Sequence, residues 1–249
     1  MELIKKPFKI GNSFAVLVPK KWENEKILIK PLKRSIIEEI IEILNEKELL
    51  HDIKGIYLIG SYARGDYDQE SDVDILAITE NKKGLIKEKK YEITLMPEKN
   101  FINLVSKDLY LLTSIKEAVP LINEESLKKY KKIKQRLNIK EILEEIGRVL
   151  KINKYMIESC IELNEKIPDG TIYSLVLRLR ELYILKAILT HKEISKKEFL
   201  SYIDKKSYNS YLRIKRDEKN TKVIEKEKAE ELIKLSEKWL KELKEQKKT

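Results

Sequence analysis

The sequence predicts an α/β fold, a small mixed sheet flanked by helices, with a short N-terminal β element before it and a helical C-terminal domain after it. Three observations predict this. Residues 55–60, 73–78 and 91–95 are short apolar runs, bounded by glycine or interleaved with carboxylates, of the length and pattern of buried strands. Between Ser35 and the first run, Ile36, Ile37, Ile40, Ile41 and Leu44 recur at helical spacing. After Pro120 the pattern becomes amphipathic helix to the end. The expected divisions are therefore 1–31, 32–120 and 121–249.

In order, residues 9–18 read as two short strands about Gly11-Asn12, stopped by Pro19, and 26–29 as a third, stopped by Pro31. Ser35 is the expected N-cap of a helix running to about Leu50. Helix, strand, short helix, strand, strand then follows as far as Leu95. Ile139, Ile142, Leu143, Ile146, Val149 and Leu150 make one helical stripe, and Leu175, Val176, Leu179, Leu182 and Leu185 make another. Pro168-Asp169-Gly170 separates them. Ser195 and Glu198 have capping-box spacing, and Leu232, Leu235, Trp239 and Leu243 mark a last, charged helix.

Composition excludes several classes. The 249 residues carry 52 Lys+Arg and 42 Asp+Glu, a net charge of +10 on a surface mixed in sign, which suits an anionic partner and excludes an acidic solvating chain. With 42% hydrophobic residues, wholesale disorder is not expected, and the apolar runs are too short for a membrane span. A single cysteine, Cys160, excludes internal disulfides and a cysteine-built zinc site, and His51 and His191 cannot build a histidine-rich one. No apolar leader follows Met1, so a reducing cytoplasm is the expected location. The bias to Lys, Glu and Ile, with few Gly and Pro, is that expected of a thermophile's ion-pair-rich protein. Cys160, among Ile157 and Ile161, reads as core, and His191 as the end of a helix.

The chemistry lies in Gly60-Ser61-Tyr62-Ala63-Arg64-Gly65-Asp66-Tyr67-Asp68-Gln69-Glu70-Ser71-Asp72-Val73-Asp74. A strand ending in Gly-Ser before a short helix gathers backbone N–H groups and a hydroxyl with no side chain at Gly60 in the way: an anion cradle. Asp72 and Asp74, two apart on the next strand, share one face while Val73 and Ile75 take the other. Adjacent carboxylates aimed at such a cradle call for hard divalent ions, Mg²⁺ or Mn²⁺. Arg64 could meet a phosphate or pair with Asp66 or Asp68.

Gly60-Ser61, ten residues, then Asp72-x-Asp74 resembles the GSx₁₀DxD signature of the minimal nucleotidyltransferases, within the DNA polymerase β-like nucleotidyltransferase superfamily. Ala63-Arg64-Gly65 and Ser71-Asp72 extend the likeness, which covers about 35–106. The resemblance implies that Gly60 and Ser61 hold the β- and γ-phosphates of a nucleoside triphosphate and that Asp72 and Asp74 ligate two Mg²⁺ ions. It also implies a third carboxylate on a following strand. Glu92 is the residue in place, a metal ligand that helps deprotonate the attacking hydroxyl where the family more often has Asp; otherwise it is an exposed strand residue.

Residues 8–20, with Gly11-Asn12-Ser13 and Val18-Pro19-Lys20, are similar to the opening of swapped-hairpin antitoxins of the AbrB/MazE type, a unit that forms homodimers and can bind DNA. The gap between Trp22 and Lys26 is shorter than that family's, and a hairpin packed on the catalytic domain is the alternative. In the helical part, Arg180 and His191 are too far apart for the active-site motif of HEPN toxins, the helical RNases often paired with minimal nucleotidyltransferases. Tyr208, Tyr211, Arg213, Lys215 and Arg216, with Lys219 and Lys222, set cations beside aromatics, either as a nucleic-acid or acidic-protein contact or as a solvated surface.

The expected reaction is Mg²⁺-dependent transfer of AMP from ATP to a hydroxyl. The resemblance points to a protein side chain as acceptor, such as a tyrosine on a HEPN-type toxin partner, in an antitoxin-like role. Transfer to RNA or a small molecule is the enzymatic alternative. A non-catalytic, nucleotide-sensing DNA-binding regulator is the alternative of another class.

Overall fold

A computed structural model describes residues 3, 5, 7–29, 35–69, 71–218 and 224–246. The chain divides into two units, Met1–Glu39 and Ile40–Thr249. In the first, β1 (Phe8–Ile10) and β2 (Ser13–Ala15) pair antiparallel about Gly11, whose φ of 57° permits the tight turn. None of its described residues is buried, and Phe14 and Leu17 are both 71% exposed. Residues 26–29, expected as a third strand, are irregular, and among the described residues no strand pairs with them to satisfy their backbone. Helix α1 (Ile36–Glu46) opens with a reciprocal cap: Ser35 Oγ accepts from the Glu38 N–H and the Glu38 carboxylate accepts from the Ser35 N–H.

The second unit holds the sheet. Its strands are β3 (Ile53–Leu58), β4 (Val73–Thr79), β5 (Gly84–Glu88), β6 (Tyr91–Pro97) and β7 (Val119–Ile122), in the order β5-β6-β4-β3-β7. Only β4 and β6 run parallel; the other neighbours are antiparallel, so the sheet is mixed as expected. Tyr57, Leu76 and Ile78 project from one face into a core with Phe101 and Val105 of α3 (Glu98–Val105), Ile115 of α4 (Leu109–Glu117) and Leu127 and Tyr130 of α5 (Glu124–Lys131). By the two-residue period of β4, Asp72 and Asp74 continue the row of Leu76 and Ile78 past the end of that core.

The helical part comprises α6 (Ile139–Glu162), α7 (Asp169–Leu189), α8 (Lys196–Ser201), α9 (Lys205–Lys215) and α10 (Lys226–Gln246). Helix α7 is buried on most sides, between α6, α9 and α10. Pro168 is its N-cap, and Asp169 and Gly170 form its first turn rather than lying in a separate break. Asp169, fully buried, accepts from Arg213 Nε and Nη2 at 2.8 Å each and from the Ser210 hydroxyl, tying the start of α7 to the end of α9. Ser195 caps α8 through the Glu198 N–H. Cys160 lies in this core, and His191 follows the C-cap of α7 at φ 53°, both as the sequence predicts. Among the described residues no helix is long and apolar enough to cross a membrane.

Candidate active site

The site begins where β3 turns into α2 (Gly60–Arg64). Gly60 has φ of 69°, and a Cβ placed on it would lie 2.5 Å from Asp74 Oδ2. Two features therefore favour glycine here, the left-handed backbone and the approach of a carboxylate from β4. The Ile59 N–H donates to the Asp74 carbonyl at 3.0 Å, which fixes the turn against that strand. Gly65, at φ 77°, ends α2 one turn later and donates its N–H to the Ser61 carbonyl. Ser61 is buried in the wall of a cleft that also contains Asp72 and Asp74.

Burial pushes the Asp74 carboxyl above the ordinary aspartate range; the charges of Glu92 and Asp72 push it the same way, and Lys215 and Arg180 oppose them. Glu92 is the register neighbour of Asp74 across the parallel β4–β6 ladder. Two carboxylates at one strand end, with Glu92 on the neighbouring strand, are a donor set for cationic charge, so their chemistry fits the divalent ions expected. Asp72 and Asp74 are the candidate ligand pair. Glu92 lies 4.0 Å from Lys87 Nζ, and among the described residues no three acidic, cysteine or histidine side chains are gathered into a ready-made metal cluster.

Cations reach this cleft from the helical part. Lys215 Nζ, at the end of α9, lies 3.0 Å from Asp72 Oδ2, with both side chains about a third exposed (34% and 37%). A pair so exposed contributes about 0–1 kcal/mol. Burial lowers the Lys215 ammonium, but its bond to Asp72 and the field of Asp74 outweigh this and hold it above the usual lysine value. Arg180 of α7 lies on the same wall, over the Tyr110 ring at 5.9 Å. Lys196 fastens the loop between α2 and β4: its N–H donates to Asp66 at 2.5 Å, and its ammonium donates to Asp68 Oδ2 and Ser71 Oγ at 2.8 Å each. Tyr208 and Tyr211 stack at 5.9 Å, Tyr211 stacks on Tyr173 at 5.2 Å, and the first two line the cleft.

The structure thus brings together Gly60, Ser61, Asp72 and Asp74, with Glu92 on the neighbouring strand. Of the two readings of Arg64, pairing is the one seen: Nε lies 3.2 Å from Asp66 Oδ1 and Nη1 2.7 Å from Glu117 Oε1, although the residue still borders the cleft. Burial raises the Glu117 carboxyl, against Arg64 and the Gly60 N–H, so the amide of Gly60 serves Glu117 while Ser61 faces the cleft. The basic and aromatic cluster of 208–216 is divided. Arg213 is consumed by Asp169, Arg216 lies 3.9 Å from Glu218, and Tyr208, Tyr211 and Lys215 turn into the cleft. Lys219 and Lys222 lie outside the described residues. Sequence reasoning missed Arg180, Lys196 and Glu117 as parts of the site. The available signal for the first was the charged stretch Arg178, Arg180 and Glu181 within the largely apolar, largely buried α7.

A strand–Gly-Ser–helix turn facing two carboxylates on the next strand defines a nucleotidyltransferase domain, and residues 37–154 match the family model of that description. Two curated proteins of Methanocaldococcus jannaschii, both named as candidate protein adenylyltransferases, are each 52% identical to the chain, over 46 and 42 residues. These matches take in 16% and 17% of the chain and 46% and 41% of the relatives, so the chain spans less than half the length of either. A crystal structure of a nucleotidyltransferase-like protein from Exiguobacterium sibiricum aligns with 84% of the chain and 75% of its own, at 12% identity and a TM-score of 0.33, too remote a likeness to carry an argument. The family match and the two relatives support a place for residues 37–154 in the DNA polymerase β-like nucleotidyltransferase superfamily, with its minimal-nucleotidyltransferase group.

Proposed function

We propose that the protein transfers AMP from ATP to a hydroxyl group on a protein side chain and releases pyrophosphate. The observation that carries this reading is the pair Asp72 and Asp74 at the start of β4, against a turn whose left-handed backbone favours Gly60. Asp72 and Asp74 would hold Mg²⁺, which when bound lowers the pKa of the incoming hydroxyl and neutralises the leaving pyrophosphate. Ser61 donates to the terminal phosphates. The acceptor oxygen attacks the α-phosphorus, the bond from that phosphorus to the bridging oxygen breaks, and pyrophosphate carries the electron pair away. Glu92, beside Asp74 and half-buried, takes the hydroxyl proton. The names of the two curated relatives favour a protein acceptor over RNA or a small molecule. The division of the 208–216 cluster weighs the same way, because it leaves Arg213 engaged in the fold.

The test is incubation with α-labelled ATP, Mg²⁺ and lysate of the source organism, tracing label into protein, RNA and small-molecule fractions. Label in protein, dependent on the wild-type site, supports the reading. Label confined to RNA or to small molecules overturns the acceptor assignment.

A further inference from the structure

We propose that Lys215 and Arg180 are phosphate-binding residues supplied by the helical part, and that Lys215 changes partner, from Asp72 to the triphosphate, when metal and nucleotide bind. The inference rests on the nucleotidyl-transfer reading of the same cleft and adds the residues that hold its nucleotide.

Four observations support it. Lys215 Nζ already sits at the place a cation must take, 3.0 Å from Asp72 Oδ2, so a metal ion arriving at Asp72 meets a like charge. Its side chain is free to leave. Lys215 is the last residue of α9, on a flexible stem, whereas Arg213, two residues earlier in the same turn, is anchored to the fully buried Asp169. The helix end therefore stays in place while the ammonium swings. Arg180 is the second cation on the wall, and among the described residues its close neighbours are phenols, Tyr110 beneath its guanidinium and Tyr211 beside it, rather than an ion-paired carboxylate. A guanidinium held by phenols keeps N–H groups for a phosphate, which it recognises with a planar fork. Finally, Asp74 lies in the fields of both Lys215 and Arg180, and two divalent ions with one ATP add no net charge, so each of these cations exchanges a carboxylate field for a phosphate.

Two titrations test the exchange, with Lys215→Met as the variant, Lys215→Arg as the charge-preserving control and thermal unfolding as the check on folding. The first measures Mn²⁺ alone, by the electron paramagnetic resonance of the free ion. The second measures an ATP analogue with a methylene α–β bridge, in Mg²⁺, by calorimetry. Lys215→Met is expected to bind Mn²⁺ more tightly than wild type and the analogue about tenfold more weakly, with Lys215→Arg near wild type in both. Opposite signs are the signature, because a merely structural lysine would weaken both or neither. If both weaken, or neither changes, while wild type binds both ligands and Asp72→Ala loses Mn²⁺, the exchange is wrong. If wild type binds neither ligand, or Asp72→Ala leaves Mn²⁺ binding unchanged, the nucleotidyl-transfer reading itself fails.

Discussion

Gly60→Ala tests how the turn and the carboxylate depend on one another. The substitution asks an alanine to hold φ of 69°, which costs about 1–2 kcal/mol. It also sets a methyl group 2.5 Å from Asp74 Oδ2, inside any allowed contact. The carboxylate must rotate away from its rotamer, at about 0.5–1.5 kcal/mol. The expected total is about 1.5–3.5 kcal/mol, or roughly 3–14 °C in Tm at 2–4 °C per kcal/mol for a unit of this size. The two parts separate in a double-mutant cycle. In the Asp74→Ala background nothing remains for the new methyl group to strike, so only the backbone cost survives and Gly60→Ala costs less there by about 0.5–1.5 kcal/mol. Denaturant unfolding of the four proteins gives the coupling. Additivity within about 0.3 kcal/mol would show that Gly60 and Asp74 do not constrain each other and would refute the account of why this turn needs glycine.

Two further outcomes follow from the helical part. Asp169→Ala strips the partner from Arg213 and Ser210 in a fully buried position and is expected to cost about 3–5 kcal/mol, read by denaturant unfolding; a cost within 1 kcal/mol would mean that the tie between α7 and α9 is not structural. Glu181 is buried, and burial raises its carboxyl from 4.5 to about 7, only partly opposed by Arg178. Because the folded value lies above the unfolded one, its contribution to stability is full below about pH 4.5 and is lost as the pH rises through about 7. Relative to Glu181→Gln, wild type should therefore lose about 3 kcal/mol between pH 4 and pH 8 in unfolding measurements. A difference independent of pH would contradict the burial of a titrating carboxyl.

Much of the fold was legible because its central elements carry complete local patterns. Strands β3, β4 and β6 lie inside the sheet, so their apolar runs are unambiguous, and the spacing from Gly60-Ser61 to Asp72 and Asp74 fixed the site's two sides. The edge strands were not legible. β5 is half-exposed and interleaved with Lys87 and Glu88, and β7 is four residues long and contains Pro120, which an edge tolerates. Residues 26–29 misled in the opposite direction: they have strand composition but, among the described residues, no strand beside them. The missing half of the site has a different cause. Lys215 meets Asp72 across 143 positions and Arg64 meets Glu117 across 53, contacts created by helix packing that leave no mark on local sequence. Lys215 was visible only as one cation of a basic cluster, and nothing in the order of residues separates it from Arg213, which packing diverts to Asp169.

The most direct test of the central claim compares ATP labelled at the α-phosphate with ATP labelled at the γ-phosphate, in wild type and in Asp72→Ala/Asp74→Ala, with Mg²⁺ present and acceptor protein supplied by lysate. AMP transfer predicts that α-label enters the acceptor, that γ-label leaves as pyrophosphate, and that the double variant, still folded, loses turnover by about 10³-fold or more. Acceptor carrying γ-label, or α-label transferred equally by the double variant, would contradict it.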